Sequence, residues 1–76
     1  MQKLLEMIAK SLVDDPQSVV VDQDNTEHGV LLKLNVAQKD MGKIIGKQGK
    51  RAKALRTIMK AVSVRRNTNV TVEIMD

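Results

Sequence analysis

The chain has 76 residues and a formal net charge of +4, enough for one small domain but not for the two-lobed clefts of most enzymes. It has no cysteine and one histidine, His28, which excludes disulfides, Cys-based metal sites, thiolate catalysis and a His-centred catalytic pair. No apolar run approaches the ~20 residues of a membrane span, and no signal-peptide core follows the N-terminus. We expect a complete, soluble, cytoplasmic protein without metal or cofactor.

Positive charge is concentrated in one part of the chain. Ten of the thirteen Lys and Arg residues lie between Lys39 and Arg66, where only Asp40 opposes them, so this stretch carries +9. The remaining residues sum to −5. Such a concentration is typical of a protein that binds a polyanion, the alternative being a solvated helix face with solubilising lysines.

The first half of the chain predicts a helix followed by two strands. Leu4, Leu5, Ile8 and Leu12 mark one face of an amphipathic helix, which the segment Asp14-Asp15-Pro16 ends because proline lacks an amide donor. Three valines make residues 18–22 the first predicted strand, and the polar residues 23–29 predict a hairpin loop. Residues 30–36 alternate between two faces as the second strand. Val20 and Leu31 fall on the alternate face, where exposed apolar side chains indicate an oligomer interface.

The second half predicts two helices and a strand. Residues 39–45 form a short helix, with Asp40 near its start, where a carboxylate suits the helix dipole. The four residues 46–49 break that helix, and a longer one runs from Lys50 to about Val64. Its predicted core stripe is Ala52, Leu55, Ile58, Met59 and Val62, and its basic ridge is Lys53, Arg56 and Lys60. A turn at residues 67–69 precedes the last predicted strand, residues 70–74.

The order helix, strand, strand, helix, helix, strand predicts an α+β fold. Three short strands each have one face to bury, and three helices can cover that face from one side as a two-layer sandwich. The connection between the second and third strands carries two helices. Its length leaves both parallel and antiparallel pairing open.

The glycine turn between the last two helices is the best candidate for a binding site. Gly46 and Gly49 bracket Lys47 and Gln48 directly before a helix N-terminus, where free N–H groups and the helix dipole favour an anion. Lys43, Lys47, Lys50 and Arg51 surround this turn with positive charge. The glycine spacings match neither a nucleotide-triphosphate loop nor the dinucleotide fingerprint. The segment therefore predicts binding of a phosphate group that does not belong to a nucleoside triphosphate or a dinucleotide cofactor.

The segment Ile44–Gly49, between two helices and inside a strand–helix–helix–strand unit, resembles the KH domain signature. The preceding helix and strand are in the order of type II KH domains. Residues 41–49 and 52–57 resemble, more narrowly, the KhpA family of small bacterial RNA-binding proteins, and the similarity runs across essentially the whole chain. The resemblance implies a single KH domain over residues 1–76, with its core unit at about residues 30–75.

The resemblance also implies where RNA would bind. Type II KH domains hold about four nucleotides of backbone at the glycine loop, in a groove between that loop, its flanking helices and the sheet edge. The groove wall would draw on Ile44, Ile45, Ala52, Leu34 and Val36, and the hairpin acids Asp22, Asp24 and Glu27 would flank it. The implied RNA-binding residues are Lys43, Ile44, Ile45, Gly46, Lys47, Gln48, Gly49, Lys50, Arg51 and Lys53. Aliphatic walls can receive bases without the aromatic rings that this chain lacks.

The function that this resemblance implies is sequence-tolerant binding of single-stranded RNA. It further implies an RNA chaperone that acts with a larger KH-containing, KhpB-like protein or as a homodimer, linked to post-transcriptional regulation, cell shape and peptidoglycan homeostasis. DNA binding is a variant, because nothing in the sequence recognises the 2′-hydroxyl. The alternative is a protein–protein adaptor on a KH scaffold whose basic face docks on an acidic partner. No nucleophile with an adjacent base, metal constellation or buried acid pair indicates an enzyme.

Overall fold

A computed structural model describes residues 2–75 and has the predicted order α-β-β-α-α-β. The main elements are α1 (Gln2–Leu12), β1 (Val20–Thr26), β2 (Gly29–Asn35), α2 (Met41–Ile45), α3 (Lys50–Arg65) and β3 (Val70–Ile74). Short 3-10 turns lie at Pro16–Ser18, Gln38–Asp40 and Lys47–Gly49. The α+β prediction is therefore confirmed, with the short helix beginning at Met41 instead of residue 39.

The three strands form a mixed sheet with β2 in the middle. β1 and β2 pair antiparallel, with Val21 opposite Leu34, whereas β2 and β3 pair parallel, with Leu32 opposite Val72. Parallel pairing needs a long crossover, which α2 and α3 provide. The structure thus decides the pairing that sequence left open, and it makes β3 an edge strand.

The hairpin between β1 and β2 is tighter than predicted. β1 continues through the polar residues to Thr26, so only Glu27 and His28 form the turn. All side chains from Asp22 to His28 are exposed. The polar composition concealed a strand because this end of β1 has no face to bury and needs no apolar residues.

One aliphatic core lies between the helices and the covered face of the sheet. Leu5 and Ala9 of α1, Leu32 and Leu34 of β2, and Met59 of α3 are fully buried. In α3 the buried line is Ala52, Leu55, Met59 and Ser63. Ile58 was predicted as core but is 43% exposed, because it lies one residue, or roughly 100° around the helix, away from Met59.

The opposite face of the sheet carries no helix and is acidic. Val20 is 49% exposed, and Leu31 on the same face is half-buried. Lys33 pairs with Asp24 at 3.1 Å, and that hydrogen bond, followed by the charges of Asp24, Glu73 and Asp22, raises the pKa of the lysine. Three carboxylates thus surround one cation on the uncovered face.

Replacing Leu32 tests which face of the sheet is covered. The Leu32→Ala variant should lose about 2–5 kcal/mol of unfolding free energy, because its cavity lies in the filled core. Leu31→Ala removes the same atoms from the uncovered face and should cost markedly less. Urea unfolding followed by circular dichroism measures both values. Equal losses for the two variants would contradict a sheet covered on one side.

Candidate nucleic-acid interface

The loop between α2 and α3 is a sharp bend made by residues in unusual backbone conformations. Gly46 has φ 73° and ψ 176°, and both Gln48 (φ 59°) and Gly49 (φ 75°) are left-handed. The Gly46 amide donates to the Gly42 carbonyl at 2.8 Å, and the Gly49 amide donates to the Gly46 carbonyl at 3.2 Å. These bonds let α3 begin with only the four residues 46–49 between it and the end of α2.

The two loop glycines are required for different reasons. A Cβ on Gly46 would lie 2.7 Å from Cγ and 2.8 Å from Cβ of Arg51, closer than side-chain atoms can pack. A Cβ on Gly49 would meet nothing within 4 Å, so only its positive φ favours glycine there. Gly46 therefore needs both its conformation and its missing side chain.

The outer side of this loop is free to meet an anion. Lys47, Gln48, Lys50 and Lys53 are exposed, and within residues 2–75 none of the three lysines has an acidic partner. Gly49 caps α3 without a side-chain hydrogen bond, so the first N–H groups of this 16-residue helix keep no side-chain acceptor at the cap. The Lys50 amide itself donates to the Lys47 carbonyl. The helix dipole and the three lysines favour an anion beside this exposed loop.

Two of the predicted cations make contacts within the protein. The Nζ atom of Lys43 pairs with the Asp14 carboxylate and lies 3.9 Å from Oδ1 of Asp40. Nη1 of Arg51 donates to the Lys43 carbonyl at 2.9 Å, near the C-terminal end of α2. The structure therefore places all the predicted cations near the loop, but Lys43 and Arg51 already make contacts with other parts of the protein.

The predicted apolar groove wall lies largely in the core. Ile44 and Leu34 are 0% exposed, and Ala52 is buried, so their side chains pack inside the protein. Val36 is half-buried, and Ile45, which directly precedes the loop, is 37% exposed. Leu34 is covered because β2 is the middle strand and its inward side chains lie under the helices, whereas Ile44 and Ala52 are on the inward faces of α2 and α3. Of the five residues, Ile45 and Val36 are therefore the accessible ones.

A groove of about 670 Å³ instead lies between α3 and the open edge of β3. Its lining residues are Arg56, Lys60, Ser63, Val64, Asn67, Thr68, Asn69, Val70, Thr71 and Val72. Arg56 and Lys60 belong to the predicted basic ridge but were not among the predicted site residues. Nothing in the sequence indicated that β3 would be the edge beside them, because that depends on the strand pairing.

The edge of β3 also offers main-chain hydrogen-bonding groups to the groove. The Asn69 carbonyl accepts from the Val30 amide, and the Met75 amide donates to the Leu34 carbonyl, each at 2.8 Å. Main-chain groups alternate sides along a strand, so those of Val70 and Val72 point away from β2. The groove therefore combines two cations, the exposed side chain of Val64 and the peptide groups of the β3 edge.

Three other titratable residues, Asp14, Asp15 and His28, make contacts within the protein. Asp14 binds Lys43, and Asp15 accepts a hydrogen bond from Ser18 Oγ at 2.7 Å. His28 is exposed in the hairpin turn, and its carbonyl accepts from Asn69 Nδ2 at 2.8 Å. Over residues 2–75 no group of three metal-binding side chains is present, and no helix there is long and apolar enough to cross a membrane.

Three alanine substitutions separate the two glycine requirements. Gly42→Ala should stabilise the protein by about 0.5–1 kcal/mol, because Gly42 is helical and its Cβ would meet nothing. Gly49→Ala should cost about 1–2 kcal/mol through its left-handed conformation. Gly46→Ala should cost more, because overpacking against Arg51 adds about 1–3 kcal/mol. Urea midpoints measure this order, and equal costs at Gly46 and Gly49 would exclude the Arg51 contact as a constraint.

Comparison with known proteins agrees with this geometry. A sequence model described as the KhpA/KhpB KH domain matches residues 2–74. The protein named RNA-binding protein KhpA from Clostridium acetobutylicum is 55% identical over 75 residues, covering 99% of this chain and 100% of its own. The proteins of the same name from Clostridium perfringens and Listeria monocytogenes are 51% and 41% identical, with 99% and 100% of this chain and all of their own covered.

A solved structure shares the fold. The crystal structure of Aquifex aeolicus Era bound to GDP and aluminium fluoride superposes on 96% of this chain and 28% of its own, with a TM-score of 0.67 and 19% identity. At this identity the likeness concerns the fold alone. The KhpA/KhpB KH family is non-enzymatic, which agrees with the exclusion of catalysis from the sequence. The match over residues 2–74 and the full-length relatives show that this chain belongs to the KhpA/KhpB family of KH-domain proteins.

Proposed function

We propose that the protein binds single-stranded RNA, with backbone phosphates at the Gly46–Gly49 loop and bases in the groove between α3 and β3. The observation that carries this proposal is the exposed bend at an uncapped helix N-terminus, beside Lys47, Lys50 and Lys53. Relatives that match along the whole chain are named RNA-binding proteins. Both observations favour a nucleic-acid backbone over a free nucleotide.

Phosphate binding at the loop would supply most of the affinity. Each lysine that neutralises a phosphate releases a counterion, so affinity for a single strand falls with salt by a slope of about 0.7 per contact. Lys47 projects from the bend itself, and Lys50 and Lys53 follow on the first two turns of α3. These contacts are independent of base identity, which supports sequence-tolerant binding.

The groove would receive bases without ring stacking. Val64 is 73% exposed and provides aliphatic contact, and the β3 edge provides peptide donors and acceptors for base edges. A duplex keeps its base edges paired, so bases from an unpaired strand fit this arrangement better. The 2′-hydroxyl has no assigned contact, and a DNA strand of the same sequence is therefore the natural comparison.

Reversing charge at the loop tests this function. The double variant Lys47→Asp with Gln48→Asp should weaken binding of a short poly(U) or poly(A) RNA by more than about tenfold, because one charged contact is lost and two repulsive ones are introduced. Thermal unfolding should stay nearly unchanged, because both side chains are exposed. Fluorescence anisotropy at two salt concentrations measures the affinity.

The matched control places the same charge change elsewhere. Lys3→Asp with Gln17→Asp alters net charge equally at exposed positions of α1 and the Pro16–Ser18 turn. This variant should retain most of its RNA affinity. Normal RNA binding by the folded loop variant would contradict the proposed site and favour the adaptor function, in which the basic face docks on an acidic protein.

We also propose that the protein acts with a second KH-containing chain of the KhpB type. The description of the family names both KhpA and KhpB. On α3, Ile58 is exposed, and so are Ala54, four residues before it, and Ala61, three residues after it. By helical geometry this apolar stripe lies roughly opposite the groove residues Arg56 and Lys60. A partner on this stripe would leave the RNA groove open.

Substituting Ile58 tests this pairing. Ile58→Lys should abolish co-purification with the KhpB-type protein, because a charge would replace the apolar centre of the contact. Met7→Lys, at an exposed apolar residue of α1, is the control and should retain the partner. Light scattering of the isolated protein distinguishes a homodimer on the same stripe. Unchanged partner recovery and unchanged mass for Ile58→Lys would exclude the stripe.

The cellular role that we propose is RNA chaperoning in the cytoplasm, with effects on post-transcriptional regulation, cell shape and peptidoglycan homeostasis. Family membership supports this role. The proposed phosphate contacts at the Gly46–Gly49 loop support it as well, because they do not depend on base identity. Such contacts hold a strand loosely enough for it to pair with another, as chaperoning requires.

A further inference from the structure

We propose that Lys43 and Arg51 position the glycine loop and do not bind phosphate. The proposal rests on the RNA-binding function proposed above, and it divides the cations beside the loop into two groups. Lys47, Lys50 and Lys53 have no acidic partner within residues 2–75. Lys43 and Arg51 instead join a continuous set of contacts that runs from the segment after α1 to the start of α3.

Asp40 anchors this set of contacts. It is 1% exposed and is the only buried charged side chain among the described residues. Its Oδ1 accepts the Asp14 amide at 3.3 Å, and its Oδ2 accepts the Asp15 amide at 3.0 Å. A buried carboxylate is tolerated only when its oxygens are satisfied, so these bonds tie the start of α2 to the segment that follows α1.

Lys43 completes the connection one turn into α2. Its ammonium lies between the buried Asp40 and the exposed Asp14, and the hydrogen bond that it donates to Asp14, followed by its charge, lowers the pKa of that carboxyl. A phosphate would have to compete with this carboxylate for Lys43, so little net attraction would be gained. The contact also directs Lys43 toward the segment after α1, whereas the groove lies between α3 and β3.

Arg51 holds the loop from the other side. From the first turn of α3 it donates back to the carbonyl of Lys43, one of the α2 carbonyls that would otherwise lack a helical N–H donor. The side-chain stem of the same arginine occupies the space that a Cβ on Gly46 would need. The bend at Gly46–Gly49 is thus held between the Asp40–Lys43 contacts and the Arg51 contacts.

The salt dependence of RNA affinity separates positioning from phosphate binding. Log affinity of a short poly(U) RNA is measured against log salt for wild type, Lys43→Met and the matched Lys47→Met. Lys47→Met should reduce the slope by about 0.7, the value for one lost phosphate contact on a single strand. Lys43→Met should keep the wild-type slope and weaken binding by the same factor at every salt concentration, with rescue by Lys43→Arg. Arg51→Lys keeps the charge but loses the planar guanidinium, and it should behave like Lys43→Met.

Amide NMR of the RNA-free proteins provides an independent readout of loop position. The Gly49 signal should shift in Lys43→Met and Arg51→Lys and change little in Lys47→Met, whereas Gly46 adjoins Lys47 and is compared only between the first two variants. A slope reduction in Lys43→Met equal to that in Lys47→Met would overturn the positioning role while RNA binding stands. Unaltered RNA affinity in Lys47→Met, with the Gly49 signal shifted only in the other two variants, would refute the proposed function and retain the positioning role.

Discussion

The contact between Gly46 and the side-chain stem of Arg51 determines how the chain passes from α2 to α3. Because no Cβ is present at Gly46, Arg51 can lie against the backbone and reach the carbonyl of Lys43. The following residues then turn through left-handed conformations, and α3 begins without a polar side chain over its first amides. An exposed, uncapped helix start beside three free lysines is a direct consequence of this packing.

The distribution of charge over the fold complements this loop. Ten of the thirteen Lys and Arg residues lie on α2, α3 and their connections, whereas Asp22, Asp24 and Glu73 surround Lys33 on the uncovered face of the sheet. A polyanion is therefore attracted to the helical side and repelled from the opposite side. Of the hairpin acids that were expected to flank the groove, Asp22 and Asp24 lie on β1, two strands away from the β3 edge, and Glu27 lies in the turn that follows β1.

The open edge of β3 is both an aggregation hazard and part of the proposed binding surface. An unpaired strand edge invites pairing with other chains, and cationic side chains beside the edge oppose such pairing. Arg56 and Lys60 hold this position in the groove, where they would also attract RNA. Val64 and the peptide groups of the edge account for how a protein without aromatic residues could hold bases.

The sequence alone determined the element order, the glycine bend and the cations around it, because helical and strand periodicity and glycine conformation are local properties. Its pattern could not show that β1 extends to Thr26, since a strand with two solvated faces has no periodicity. It also could not show which of the adjacent residues Ile58 and Met59 is buried, because that depends on which side of α3 packs against the sheet. Tertiary structure decided which strand forms the edge, which isoleucine is buried and which cations are already paired, because each depends on residues distant in sequence. Lys43 shows this most directly, since its partner Asp14 lies 29 positions away along the chain.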